Sequence, residues 1–211
     1  MAPRKTTHHT SAESKRAILE GVLSLAVEAG YEGTTMADVA RVSGLPIGSV
    51  YWHFRNKEQL FVDLLDYCFE VWKEANPPGG STRDRIRRSI GSSAAASADL
   101  ADPAAAFWSI GLVFAFERRL ADNLARQRYL AIRREMFEIL SGRLEGEFPD
   151  LPEEVASQLA RDMTTLGRAL TDGFRVAAAA GDDTDFAHAA ELAATAMELL
   201  IESRLSEYLH D

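Results

Sequence analysis

Carboxylate and histidine side chains occur as two closely spaced pairs near the C-terminus, and this spacing could build a metal centre. Asp185 and His188 form one carboxylate-x-x-His pair, and Glu207 and His210 form the other. Helical-bundle enzymes use pairs with this spacing as ligands of a di-metal centre. Here both pairs fall on one predicted helix, 22 residues apart, which is about 33 Å at roughly 1.5 Å per residue. They therefore cannot share a metal centre.

Other signals of catalysis or cofactor binding are missing from the sequence. It contains no GxGxxG, P-loop, HExxH or GxSxG pattern, and its five histidines are scattered. Cys68 is the only cysteine, which excludes an intrachain disulfide and a cysteine-based zinc site. We interpret Cys68 as a buried thiol. We expect a protein that is not an enzyme and that needs no metal or cofactor.

The length and composition are those of an ordinary globular protein. The 211 residues are 46% hydrophobic and 26% charged, which is enough for a substantial core in one domain or in a small domain joined to a larger one. No apolar run approaches the roughly 18 residues that span a bilayer. The N-terminal segment MAPRKTTHHT has no apolar signal-peptide region. These features predict a cytoplasmic protein.

Charge is distributed unevenly along the chain, whose formal net charge is −9. Residues 1–60 contain seven Lys or Arg and six Asp or Glu, whereas residues 61–211 contain sixteen and twenty-six. An acidic surface repels nucleic acid. If the protein binds DNA, its first sixty residues must therefore provide the contact surface.

The spacing of apolar residues predicts an all-α fold, because they recur every three or four residues and long alternating runs are absent. Residues 1–9 lack this periodicity and are predicted to form a flexible basic arm. A first helix is predicted from Thr10, which forms a capping box with Glu13, to Gly30. Further helices are predicted from Asn56 to the NPPGG segment at residues 76–80, and near residues 82–98, 103–121, 124–146, 152–180 and 184–208.

Two short helices are predicted between Thr35 and His53. Thr35 and Asp38 form a second capping box, residues 43–45 (Ser-Gly-Leu) make a turn, and Pro46 suits the first position of the next helix. A short helix, a glycine-containing turn and a second short helix form a helix-turn-helix. This unit places its second helix in the major groove of DNA.

The segment GYEGTTMADVARVSGLPIGSVYWHFRNKEQLF closely resembles the DNA-binding region of the TetR family of repressors. The resemblance covers about fifty residues. It is carried by Gly30, Thr34, Thr35, Val39-Ala40, Ser43-Gly44-Leu45, Gly48, Ser49, Tyr51, His53-Phe54, Lys57-Glu58 and Leu60. The rest of the chain resembles the family in its helical architecture.

The resemblance implies a DNA-binding domain over residues 10–56 and a helical ligand-binding and dimerisation domain over residues 57–211. It also implies a homodimeric repressor that a small apolar or aromatic ligand releases from palindromic operator DNA. The sequence leaves open a helical interaction or architectural module without ligand control. Competition between specific and unrelated DNA would distinguish the repressor from the architectural module.

Several residues of the helix-turn-helix are candidates for DNA contact. Tyr51, His53 and Lys57 match family positions that touch phosphates, and Lys57 also lies in the first turn of a helix, which favours anions. Gly48 costs about 1 kcal/mol relative to alanine within a helix, which close approach of the backbone to DNA would explain. The full candidate set is Thr35, Arg41, Pro46, Ile47, Gly48, Ser49, Tyr51, Trp52, His53 and Lys57.

Each of these interpretations has a structural alternative. Gly48 could relieve crowding between helices, and Tyr51 or His53 could pack or cap within the small domain. Trp52 could be a core residue or could flank the DNA backbone, and Arg41 could be a solvated charge. Ile47 is predicted to contact thymine methyl groups, because it lies at the exposed start of the recognition helix.

The last two predicted helices carry more apolar surface than one packing face needs. We expect residues 152–208 to pair with a second subunit in a four-helix interface, although burial within one subunit would fit the same pattern. The predicted interface residues are Leu159, Met163, Leu166, Leu170, Phe174, Met197, Leu200, Ile201 and Leu205.

Aromatic and methionine side chains in the middle helices could line an apolar ligand pocket. Such residues at helical spacing more often form ordinary core, and both interpretations stay open at this point. The predicted ligand contacts are Trp72, Phe107, Trp108, Phe114, Met136 and Phe137.

Overall fold

The computed structural model describes residues 11–81, 84 and 102–210. The predicted arm at residues 1–9, the Thr10 cap and nearly all of the predicted helix at 82–98 lie outside this part of the chain. The described residues form eight α-helices and one 3₁₀ helix, without a strand, which confirms the all-α prediction. The helices are α1 (Ser11–Gly33), α2 (Met36–Ser43), α3 (Ile47–His53), α4 (Lys57–Ala75), α5 (Pro103–Phe116), α6 (Leu124–Glu145), α7 (Glu153–Ala180) and α8 (Phe186–His210).

Helix α1 was predicted to end at Gly30; it is kinked there, and its last residue is Gly33. Gly30 has φ 65° and ψ −172°, a conformation that glycine adopts without the steric cost of a β-carbon. The Thr34 hydroxyl donates a 2.7 Å hydrogen bond to the Gly30 carbonyl, and Thr34 is buried. The break directs the chain from α1 toward the start of α2.

Helix α2 is short and is fixed at both ends. Its N-cap residue Thr35 accepts a hydrogen bond from the backbone amide of Asp38 and donates one from its hydroxyl to the Asp38 carboxylate. Gly44 ends the helix in the left-handed conformation, with φ 68°. The Thr35 cap and the turn at residues 43–45 were predicted, because both depend on residues close together in sequence.

The described residues divide into two compact units. Residues 11–72 and 102–129 belong to the first, and residues 73–81, 84 and 130–210 belong to the second. The first unit therefore contains α1, α2, α3 and α5, most of α4 and the beginning of α6. The predicted functional division after residue 56 stays a prediction.

The first unit has an aromatic and aliphatic core. Phe54 is fully buried, as expected for a residue that closes the core behind α3. Helices α5 and α6 pack closely, because Gly111 faces the ring of Tyr129 and any β-carbon at position 111 would overlap that ring. The largest fully buried side chains of this unit are Ile18, Leu23, Phe54, Leu60, Phe61, Leu64, Leu65, Phe107, Phe114 and Tyr129.

Helix α5 is shorter than predicted. The sequence predicted one helix over residues 103–121, but α5 ends at Phe116 and a 3₁₀ helix follows at Arg118–Leu120. Glu117 has extended backbone, and its side chain accepts a hydrogen bond from the amide of Arg119. The helix ends because this acidic side chain caps the next turn.

The second unit is held by apolar packing and two ion pairs between helices. Its core contains Leu144, Leu159, Ala160, Met163 and Met197. Arg133 of α6 binds both carboxylate oxygens of Asp172 of α7, at 3.2 and 2.6 Å. Arg161 of α7 reaches both oxygens of Glu138 of α6. These pairs align the two helices side by side.

Candidate nucleic-acid interface

Helix α3 presents most of its side chains to solvent. The exposed fractions are 47% for Ile47, 52% for Tyr51 and 70% for Trp52, whereas Val50 is fully buried. At the start of the helix, the backbone amide of Ser49 donates a 2.8 Å hydrogen bond to the carbonyl of Pro46. Pro46 is thus the N-cap residue and not the first residue of the helix. Helix α3 begins at Ile47, one residue later than predicted. One apolar anchor leaves the other side chains of α3 available to a partner.

All ten predicted DNA contacts lie on the surface or are half-buried. The exposed ones are Thr35, Arg41, Pro46, Ile47, Gly48, Tyr51 and Trp52, and the half-buried ones are Ser49, His53 and Lys57. All of them belong to α2, α3 and the start of α4, apart from the two cap residues Thr35 and Pro46. The structure therefore places the whole set on the helix-turn-helix and the helix that follows it.

Gly48 stands in open space. A β-carbon built on it would meet no atom within 4 Å. The alternative that glycine relieves crowding between helices is therefore wrong for this position. Among the residues that the structure describes, none requires glycine here, although glycine lowers helix propensity by about 1 kcal/mol relative to alanine.

Exposed Trp52 and half-buried His53 form an aromatic pair at the end of α3. Their ring centroids are 4.7 Å apart, with an interplanar angle of 85°. The exposure of Trp52 excludes the core interpretation. Partial burial, and then the nearby charge of Lys15, lowers the pKa of His53 below its usual value. The imidazole is therefore neutral at neutral pH and can donate one N–H to an acceptor.

Arg41 is bound within α2. Its guanidinium lies 3.0 Å from the carboxylate of Asp38, which also accepts the Thr35 hydroxyl bond. Hydrogen bonds from Thr35 and then from Arg41 lower the pKa of Asp38. Arg41 remains 68% exposed along its side chain, so its charge is accessible although its geometry is set by Asp38.

Lys57, at the start of α4, lies over the ring of Tyr31. Its ammonium is 4.4 Å from the ring centroid, 3.4 Å from the Glu32 carbonyl oxygen and 4.0 Å from the Glu32 carboxylate. The Asn56 side chain caps the same helix end by accepting a 2.9 Å bond from the amide of Gln59. The predicted phosphate contact is thus held by the end of α1.

Two basic residues beside this surface were not predicted. Lys15 of α1 makes a 2.8 Å ion pair with Asp63 and lies 5.8 Å from the ring centroid of Phe54. Arg55 is exposed in the link between α3 and α4. The basic cluster in HFRNK could have indicated Arg55, whereas only the fold brings Lys15 near His53.

The predicted ligand contacts are divided between the two compact units. Trp72, Phe107, Trp108 and Phe114 lie in the first, and Met136 and Phe137 lie in the second. Within the first unit, Phe107 packs against Trp108 at 5.1 Å and against Tyr129 at 5.4 Å. In the second, Phe137 lies 5.1 Å from each of the guanidinium groups of Arg161 and Arg168. The ring contacts of Phe107 are those of ordinary core packing, whereas half-buried Phe137 contacts two cations.

The predicted dimer residues separate into an inner and an outer group. Leu159, Met163 and Met197 are buried in the core of their own subunit, and the prediction that they face a partner is corrected for these three. The half-buried members are Leu166, Leu170, Phe174, Leu200, Ile201 and Leu205. The predicted interface set did not include the apolar side chains that α7 and α8 expose most, which are Val176, Leu192 and Leu199.

The candidate metal pair at the start of α8 has a structural role. Asp185 caps the helix, because its side chain accepts hydrogen bonds from the amides of Ala187 and His188. Across the part of the chain that the structure describes, no group of three or more His, Cys, Asp or Glu is arranged to hold a metal ion. No helix in that same part is both long and apolar enough to cross a membrane.

The capped helix α2, the left-handed turn at Gly44 and the exposed helix α3 form a helix-turn-helix, the unit that places its second helix in the major groove of DNA. Residues 18–64 match the model of a family described as bacterial regulatory proteins, tetR family. The match covers the helix-turn-helix with its flanking segments and leaves the greater part of the chain outside it.

Bacterial regulators are similar to this chain over a stretch that covers part of it. The HTH-type transcriptional regulator TtgR of Pseudomonas putida is 34% identical over 67 residues, 32% of each chain. IcaR of Staphylococcus epidermidis, a negative regulator of a biofilm operon, is 33% identical over 58 residues, 28% of this chain and 31% of IcaR. The matched region thus spans about a third of these relatives.

Solved structures share the fold over more of the chain. FadR from Bacillus subtilis, crystallised in complex with stearoyl-CoA, aligns with a TM-score of 0.60 at 15% identity, over 86% of this chain and 96% of FadR. At this identity the likeness shows a common fold.

Proposed function

We propose that this protein is a homodimeric transcriptional repressor that binds near-palindromic operator DNA and is released by a small apolar or aromatic ligand. The observation that carries the proposal is the exposed recognition helix, on which Ile47, Tyr51 and Trp52 face solvent and Gly48 has no packing role. A chromosomal regulator works in the cytoplasm, where its operator is.

Charge supports this choice of surface. The chain is acidic after residue 60, so its C-terminal part is repelled by phosphates. The helix-turn-helix surface instead offers Arg41, Arg55 and Lys57, together with the neutral imidazole of His53. Phosphate contacts position such a protein, and the start of α3 then meets base edges in the major groove.

A second subunit would cover the apolar outer faces of α7 and α8. Val176, Leu192 and Leu199 are 46%, 57% and 60% exposed, and they accompany the six half-buried residues of the outer group. A two-fold interface there would also supply two recognition helices, which a palindromic operator needs. We propose this revised set in place of the one predicted from the sequence.

Ligand control is proposed from the likeness to FadR, whose solved complex contains stearoyl-CoA. Repression is likewise proposed from a likeness, because the similar protein IcaR is a negative regulator. Trp72, Phe107, Trp108, Phe114, Met136 and Phe137 remain the proposed apolar contacts. A ligand acting in this way must bind the DNA-free form more tightly, typically by about 5- to 150-fold.

Selection of duplexes from a random library with the purified protein tests the DNA-binding proposal. We expect enrichment of an inverted repeat with half-sites roughly 10 base pairs apart or a multiple of this spacing. Binding to the enriched duplex should survive an excess of unrelated DNA. Equal competition by both DNAs would instead indicate an architectural module, and no binding to either would overturn the proposal.

A further inference from the structure

The end of α1 and the start of α4 meet in a small cluster built around one aromatic ring. Tyr31 is only 8% exposed, and its ring centroid lies 5.0 Å from that of Phe61 and 5.5 Å from that of Phe114. Burial raises the pKa of the Tyr31 phenol, while a side-chain hydrogen bond with Asn123 lowers it. The ring is therefore fixed by neighbours on α4 and α5 and by Asn123, which directly precedes α6.

A lysine ammonium lies over this fixed ring. The distance of 4.4 Å from Lys57 Nζ to the ring centroid is within the roughly 6 Å range of cation–π attraction. The Lys57 side chain is only 26% exposed. An unrestrained lysine loses rotamer entropy when a contact orders it, and here much of that ordering is already present.

We propose that Tyr31 is a positioning residue for the Lys57 phosphate contact, holding the ammonium at the N-terminal end of α4 before DNA arrives. The inference rests on the proposed DNA-binding function. Part of the affinity for DNA would then depend on Tyr31, a buried aromatic residue outside the helix-turn-helix. A core role alone would require only the contacts of Tyr31 with Phe61 and Phe114.

The salt dependence of DNA binding separates these two roles. Each phosphate contact contributes about 0.9 to the slope of log affinity against log salt, so loss of one contact in each of two subunits lowers the slope by about 1 to 2. A partly unfolded variant has fewer active molecules but an unchanged slope. We therefore measure binding of the full chain to its selected duplex over a range of KCl concentrations, with the active fraction determined by titration.

Four variants and one control test the proposal. Tyr31→Leu and Lys57→Ala should each lower the slope by about 1 to 2, and the double variant should lower it no further than Lys57→Ala. Tyr31→Phe, which keeps the ring, should keep the slope. Phe69→Leu removes a buried ring that stacks on Trp72, and its slope should match that of the wild type.

Tyr31→Leu could fail to fold, so a second variant keeps the shape of the ring. Phenylalanine with a trifluorinated ring, incorporated at position 31, fills the same space but loses the negative potential that attracts the ammonium. We expect it to lower the slope as Tyr31→Leu does. A wild-type slope for this variant, or an equal affinity loss from Tyr31→Leu with and without Lys57, would overturn the proposal. A wild-type protein that prefers no duplex would instead refute the underlying DNA-binding function.

Discussion

The ammonium of Lys57 lies 4.0 Å from the carboxylate of Glu32, so an acidic residue stands beside the proposed phosphate contact. Glu32 is 77% exposed along its side chain, and an exposed pair of this kind contributes about 0.2–1 kcal/mol. A bound phosphate must compete with this carboxylate for Lys57 and is also repelled by it.

Glu32→Gln should therefore strengthen operator binding by about 1.4- to 5-fold for each subunit, the range that follows from an exposed ion pair. Fluorescence anisotropy with a labelled duplex at low salt would measure the gain. Glu28→Gln removes the same charge from another exposed position of α1 and should change affinity less. Equal gains from both variants would mean that only the overall charge matters.

Gly48→Ala should stabilise the protein and weaken its binding to DNA. The methyl group meets no atom of the chain, and alanine favours a helix by about 1 kcal/mol over glycine. The same methyl group would obstruct close approach to DNA. We expect an affinity loss on the order of tenfold, which is comparable to the cost of one mismatched base pair in the operator. Thermal unfolding and anisotropy measure the two effects.

Gly142→Ala is the matched control for that substitution. Gly142 is an exposed glycine inside α6, and its β-carbon would also meet nothing within 4 Å. It should show a similar gain in stability with unchanged DNA binding. If Gly48→Ala kept full affinity for the selected duplex, close backbone approach at this position would be excluded.

Leu199→Glu should separate the proposed dimer into folded monomers. Leu199 is 60% exposed in the single chain, so the substitution leaves the subunit core intact. In the dimer it would bury an unpaired carboxylate, which costs several kcal/mol. Sedimentation velocity at micromolar concentration should show the change. Leu124→Glu alters a residue that is 51% exposed at the start of α6 and should remain dimeric.

Lowering the pH should affect stability and DNA binding in opposite directions through His53. Burial and Lys15 depress the folded pKa of His53, so the unfolded state binds more protons once the pH falls below about 6.5, and the free energy of unfolding decreases. A bound phosphate favours the protonated imidazole, so operator affinity should increase over the same range. Denaturant melts and anisotropy between about pH 7.5 and 5.5, a range that brackets the ordinary histidine pKa, would measure both trends.

His53→Asn provides the reference for these trends, because the other histidines still titrate in it. The difference between the wild type and this variant isolates His53. We expect the variant to lose part of the stability decrease and part of the affinity increase. Identical pH profiles for the two proteins would remove His53 from the phosphate-binding set.

The helix-turn-helix was predictable because its signals are local. The bond between the Thr35 hydroxyl and the Asp38 amide, the left-handed Gly44 and the Asn56 cap each involve residues within one turn of each other. The end of α5 was missed because Glu117, within a run that read as helix, caps the following turn.

Contacts between distant segments could not be read from the sequence. Helical periodicity marks a residue as apolar but does not say whether it faces its own subunit or a partner. Met163 and Met197 proved to be internal, and Leu192 and Leu199 external. The position of Lys57 over Tyr31 depends likewise on how the end of α1 meets α4, which no spacing along the chain reveals.

The recognition helix has a single buried residue, Val50, and this has an evolutionary consequence. Its other side chains can be exchanged with little effect on folding, since surface substitutions usually change stability by about 0.5 kcal/mol or less. Duplicated copies of this gene could therefore acquire new operator sequences without passing through unstable intermediates. The same freedom makes residues 47, 48, 49, 51 and 52 the natural positions to randomise when selecting variants with altered operator preference.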